Sequence, residues 1–187
     1  MNRQSDPLFR SESRPEARPA RLGPRRPLRA GLLLVLLASA WMGAGCSGPV
    51  ALLPGGRLRG ETGAPLVADW SFAEGQKTLA IETCPSDPHS VQTWFASIDA
   101  RLYVPTSMIF GTKDPSKRRW VRCIEADPRV RVRIGETVFE RRAVRVEDPA
   151  EYDEARAAIE ARHGLEEADR DPERTVWIYR LTARRAP

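Results

Sequence analysis

Apolar and polar positions alternate along several parts of this chain, and the alternation lays out a series of strands. Arg129–Ile134 reads Arg-Val-Arg-Val-Arg-Ile, the pattern of a strand buried on one face. Gly135-Glu136 follows, with Gly at the first position of a type II′ turn, and residues 137–146 return as a long second strand. Residues 78–84 and 89–98 are rich in β-branched and aromatic side chains and predict two more strands. Asp99-Ala100 turns the second of these into residues 101–104, so the two should form a hairpin. Residues 175–182 predict the last strand.

Helical spacing shows in two places. Asp114-Pro115 has the form of an N-cap followed by Pro at the first helical position, and Trp120, Cys123 and Ile124 then recur on one face, widened by Val121. Asp127-Pro128 ends that helix. Asp148-Pro149 opens the second, with Glu151 placed to act as a capping-box acid, and Gly164 after His163 stops it. Strand runs punctuated by isolated helices predict an α+β fold rather than parallel βαβ units. Six antiparallel strands in hairpins would leave two edges exposed unless the sheet curls closed. The expectation is a six-stranded antiparallel split β-barrel with two or three flanking helices.

The N-terminal part has a different character. Residues 1–29 are rich in Arg, Pro and Ser with no apolar periodicity, a composition that cannot offset its ordering entropy. Residues 30–41 are dominated by Leu and Ala, too short for a membrane-spanning helix but of the length of a signal-peptide core. Gly43, Ala44 and Gly45 then precede Cys46, an arrangement that resembles a lipobox, in which the Cys is lipidated and the leader cut just before it. An uncleaved apolar anchor is the competing reading. Arg25-Arg26 fits either an ordinary basic n-region or a twin-arginine signal. The Gly- and Pro-rich residues that follow Cys46 read as a tether. The expected organisation is a leader over residues 1–45, a lipidated Cys46 with a flexible tether over 46–64, and the folded domain over 65–187. The expected location is the cell envelope, anchored to a membrane and facing the periplasm or the outside.

Charge supports that division. The leader holds eight Arg against three acids, so the whole formal charge of +5 lies there and the remainder is balanced. The folded part therefore carries no sign of a nucleic-acid partner. Arginine outnumbers lysine 27 to 3, which makes a single Arg a weak functional marker.

The stretches Pro88-His89-Ser90-Val91-Gln92-Thr93-Trp94-Phe95, Leu102-Tyr103-Val104, and Arg119-Trp120-Val121 leading to residues 127–135 resemble the FMN-binding split-barrel superfamily. That superfamily includes pyridoxamine-phosphate oxidase-like proteins and deazaflavin-dependent nitroreductases. The likeness spans roughly residues 66–183. It implies a bound FMN or deazaflavin (F420) at a dimer interface, hence a homodimer as an expected assembly and oxidoreductase chemistry carried by the cofactor. It further implies a phosphate-holding corner at Thr106, Ser107, Lys113, Lys117 and Arg118, where a helix N-terminus adds free N–H groups and its dipole. Asp114 in the same corner would oppose an anion. Ser90, Gln92 and Trp94 share one strand face and would line the ring; equally, Trp94 could be core and the other two surface. A split-barrel lipoprotein without cofactor, binding a small ligand or a partner protein, is the alternative.

Other chemistries find little support in the residues. The two histidines, His89 and His163, fall in different elements, so no metal site is expected. His163 in a last helical turn complements the dipole, and His89 at a strand start is a candidate ligand contact. Gly-x-Ser-x-Gly and Cys-x-x-Cys are absent, and Pro54–Gly60 lacks the ending of a phosphate loop. Catalytic residues are not assignable. Cys84 and Cys123 could pair in an oxidising compartment, or both could be small core residues.

Overall fold

A computed structural model describes residue 49 and residues 53–184. The leader and Cys46, with the lipidation expected there, lie outside the described residues. Eight strands among the described residues join one sheet: β1 (Glu61–Thr62), β2 (Leu79–Thr83), β3 (His89–Thr93), β4 (Ala96–Ile98), β5 (Arg101–Pro105), β6 (Arg129–Ile134), β7 (Thr137–Arg145) and β8 (Ile178–Ala183). Two α-helices accompany them, α1 (Arg119–Ala126) and α2 (Pro149–His163). The strand order is β3-β2-β6-β7-β8-β5-β4, antiparallel throughout, with β1 added parallel to the start of β7.

The two ends of that order, β3 and β4, are separated in sequence by Trp94 and Phe95 alone. The sheet must therefore curl until its ends meet, as a split barrel does. Thr93 Oγ1 donates to the Pro105 carbonyl across the closure at 3.0 Å. Residues 89–98 are consequently two strands rather than the expected one. The chain leaves one edge of the sheet and enters the other, and a single straight strand cannot do both. Only the second half, β4, forms the expected hairpin with β5.

Strand alternation distributes the core. Leu102 and Val104 of β5, with Tyr179 and Leu181 of β8, join Ile81, Phe95, Trp120, Val130, Val132 and Phe139 in one buried cluster. Tyr103 and Ile178 point the other way and meet Ala155 and Ile159 of α2. With both faces covered, β5 is buried along almost its whole length.

Helix starts depart from expectation in an instructive way. Asp114 accepts from Ser116 N at 2.9 Å and from Ser116 Oγ at 2.7 Å. That local turn closes a short 3-10 segment, Pro115–Lys117, instead of opening the α-helix. Arg118 is extended and α1 begins after it. In α2, Asp148 caps Glu151 N at 2.8 Å and Gly164 takes φ 67° at the C-terminus, as expected. Glu151 does not reach back as a capping-box acid. Its carboxylate instead accepts from Tyr103 Oη at 2.8 Å and from Arg180.

The stretch after residue 53, which composition reads as tether, runs along the sheet. Gly55 exchanges both backbone hydrogen bonds with Ser90, Leu58 is fully buried, and β1 pairs with β7. Cys84 and Cys123 form a disulfide that joins the chain just past β2 to α1. Among the described residues no helix is long and apolar enough to cross a membrane, and no cluster of three or more His, Cys, Asp or Glu could hold a metal ion.

Candidate functional site

A cleft of 540 Å³ opens at the seam where the curled sheet meets itself. β3 and Trp94 form one wall. Pro105 and the loop from Thr106 to Phe110 form the second, and Arg118, Arg119 and Trp120 close the end, with Pro54 and Thr78 at the margin. The lining is mostly apolar, with a few hydroxyl, amide and guanidinium groups among the rings and methyls. This is the usual make-up of a small-molecule site.

Of the eight residues the resemblance assigned to the cofactor, five meet here: Gln92, Trp94, Thr106, Ser107 and Arg118. Thr106 Oγ1 accepts from Trp177 N at 3.0 Å, which leaves its own proton to donate. Ser107 Oγ donates to the Phe110 carbonyl at 2.6 Å and shapes the loop. Arg118 Nη2 donates to the carbonyls of Phe110 at 2.9 Å and Thr112 at 3.1 Å. Burial, and then the charge of Arg174, lower the Arg118 pKa.

The other three lie elsewhere. Ser90 is fully buried and its Oγ donates to the Gly56 carbonyl at 2.7 Å, so it fastens the 55–63 segment. Lys113 bonds Glu173 at 2.6 Å and Asp171 at 3.3 Å. Lys117 points to solvent with Asp114 4.0 Å away. The corner drawn from the resemblance thus brings two hydroxyls and one guanidinium to the cleft, and leaves both ammonium groups outside it.

Trp94 is held flat. The ring of His163 stacks on it with centroids 4.3 Å apart and planes 6° apart, while His163 Nε2 lies 3.2 Å from the Phe95 carbonyl. At the start of β3, His89 lines the cleft. Its pKa is lowered by burial first and by the Arg119 charge second, with Asp87 acting the other way. Asp87 itself accepts from Arg119 Nη2 at 2.6 Å.

Sequence reasoning missed Met108, Ile109 and Phe110, three apolar residues in a row within a predicted loop. That run was a usable signal, because a loop without a partner surface has no need of it. It also missed Arg119 and assigned Trp120 to the core alone.

Comparison with known proteins adds three findings. The sequence model of the family F420H(2)-dependent quinone reductase matches residues 95–171, a span that includes Thr106, Ser107 and Arg118. No curated protein matches the chain. Solved structures with a similar arrangement include a conserved hypothetical protein of Mycobacterium tuberculosis (22% identity, 67% of this chain and 86% of the other, TM-score 0.48). A candidate pyridoxamine 5′-phosphate oxidase from Listeria innocua is another (16% identity, 60% and 87%, TM-score 0.46). A third is an F420-H2 dependent reductase (15% identity, 57% and 94%, TM-score 0.44).

Proposed function

We propose that this chain is an oxidoreductase of the cell envelope, tethered through a lipid on Cys46, that works with a deazaflavin of the F420 type. The observation that carries the reading is the 540 Å³ cleft at the seam of a curled antiparallel sheet. The family match over residues 95–171 supports it, because that family is described as reducing quinones with F420H(2). A quinone is accordingly the proposed electron acceptor, and a homodimer the proposed assembly.

The residues present suit such a group. Val91, Met108 and the two indoles of Trp94 and Trp120 offer apolar and aromatic contact for a flat tricyclic ring. Gln92, Thr106 and Ser107 offer hydrogen bonds at the ring's margin, and Arg118 with Arg119 brings positive charge for a phosphate. The cofactor would supply hydride transfer. The protein's share is to bind the ring against Trp94, fix its orientation through the His163 stack, and keep water from the apolar walls.

One observation favours a second reading, a split-barrel lipoprotein that binds a ligand without cofactor. The cations of the expected phosphate corner are already engaged, Lys113 by two carboxylates and Arg118 by two backbone carbonyls. Titration of the purified chain with oxidised F420, and separately with FMN, decides between them. A shift in the visible absorbance with F420, a raised thermal midpoint, and weaker binding by Trp94→Ala are expected. Unchanged spectra and an unmoved midpoint with both flavins would remove the redox reading.

A further inference from the structure

Five large apolar side chains stand well exposed among the described residues; two of them line the cleft and a third adjoins a lining residue in sequence. Ile109 (46% exposed) and Phe110 (52%) line its outer lip, and Leu53 (70%) is bonded to Pro54, which lines the same cleft. Of the other two, Phe72 packs on Trp70 and Phe139, and Leu66 stands away from the cleft lining. An apolar patch beside an opening marks a surface that something covers.

The lip is held in place rather than left to fold inward. Arg118 and Arg174 donate to the carbonyls of residues 110–112, and Ser107 Oγ donates to Phe110 O. The Arg174 side chain is almost fully buried in doing so. Two guanidinium groups thus fix the backbone under Ile109 and Phe110 with their side chains outside.

The path of the chain says what covers them. Leu53 and Gly55 both form β-bridges, Gly55 with Ser90, so the described chain joins the sheet at the cleft margin. Leu53 follows Cys46 by only seven residues, which fully extended span at most about 25 Å. A lipid on Cys46 would therefore tie the membrane to this rim and not to the opposite side of the barrel.

The geometry points to a membrane-facing mouth, in which Leu53, Ile109 and Phe110 seat in the headgroup region of the bilayer to which the chain is anchored. Apolar side chains on a short leash to an anchor gain by entering that region, as amphipathic surface elements do. The cleft then opens on lipid, and a ligand dissolved in the bilayer reaches it without crossing water. This inference rests on the anchored reading of the leader and is independent of which cofactor binds.

The test uses the processed full chain on vesicles of phosphatidylcholine and phosphatidylglycerol, compared with the variant Leu53→Ser/Ile109→Ser/Phe110→Ser. All three substituted side chains are exposed, so the fold is expected to survive. Amide exchange over residues 107–112, corrected for intrinsic rates, should be about tenfold slower in the wild type, while both proteins stay on the vesicles. Equal exchange in the two proteins overturns the inference, as does a wild-type chain that does not associate with vesicles. Protection that appears without vesicles and grows with protein concentration also overturns it, and assigns the lip to a second copy of the chain. Failure to bind flavin would leave these outcomes unchanged, so the two proposals fail separately.

Discussion

His163 and Trp94 lie ring on ring, 4.3 Å between centroids and 6° between planes, although 68 residues separate His163 from the Phe95 carbonyl it also contacts. The pair couples the end of α2 to the wall of the cleft. It is built at the one place where the sheet breaks between β3 and β4, so the side chain that leaves the strand pattern is also the one the helix steadies.

Burial of the His163 ring makes stability depend on acid. The His163 pKa is lowered, by burial first, with the Arg162 and Lys77 charges adding to the effect and the Phe95 carbonyl opposing it. His89 is lowered as well. A lowered folded pKa means the unfolded chain binds the proton more readily. The contribution is whole above the unfolded value of about 6.5 and is lost as pH falls from there towards the folded pKa. Urea midpoints measured at about pH 8 and about pH 5 should therefore fall on acidification. His163→Gln should show a smaller fall than the wild type.

Much of the architecture was legible because local signals and tertiary needs agree in it. β6 is Arg129–Ile134 as its alternation predicts, and Gly135 takes φ 58° in the turn that follows. The Asp148 cap and the Gly164 stop bound α2 as their chemistry requires. Legibility ended where long-range geometry decides. Nothing local in Trp94-Phe95 announces a change of sheet edge, since both are good strand residues. Ser90 reads as a site residue by alternation, yet its hydroxyl is taken by Gly56, 34 residues earlier in the chain. Gly- and Pro-rich sequence reads as tether, but buried Leu58 and the Gly55–Ser90 pairing depend on a sheet edge that composition cannot reveal.

The disulfide is expected to matter for stability and for the cleft together. Cys84 and Cys123 are 39 residues apart, and loop entropy alone assigns such a bridge about 4 kcal/mol. Cys123 lies on α1, whose first turn carries Arg119 and Trp120 into the cleft. Reduction, or Cys84→Ser/Cys123→Ser, should lower the thermal midpoint. It should also speed amide exchange in α1 more than in α2, which the bridge does not touch.

Tyr103 gives an alkaline counterpart. Its hydroxyl donates to Glu151, and burial first, then that bond, push its pKa up to about 12. A raised folded pKa contributes stability in full below the unfolded value of about 10, and that contribution is lost as pH rises through the folded value. Tyr179, buried and donating to Glu125 at 2.7 Å, is raised further. Spectrophotometric titration should therefore leave both phenols un-ionised at about pH 11 while the protein stays folded. Tyr103→Phe should cost about 1 kcal/mol in chemical denaturation, a modest value because Arg180 still pairs the Glu151 carboxylate.

Glu82 holds the segment over residues 55–60 that leads into the barrel. It is 4% exposed, and one carboxylate oxygen accepts both from Leu58 N at 2.5 Å and from Arg131 Nη1 at 2.9 Å. Arg131 also donates to the Leu58 carbonyl at 3.0 Å, so the ion pair grips both polar groups of one buried residue. Removing the carboxylate alone, as in Glu82→Leu, strands a guanidinium and a backbone N–H at the same spot. Because Arg131 keeps some contact with water, the loss should be about 2–3 kcal/mol, below the range for a pair sealed from solvent. Replacing both charges, as in Glu82→Leu/Arg131→Met, should recover part of it, since no charge is then left without a partner. Amide exchange over residues 55–60 should rise in the single variant before the rest of the sheet is affected. Equal exchange there in wild type and Glu82→Leu would mean the segment is held by the Gly55–Ser90 pairing and β1 alone, and not by the ion pair.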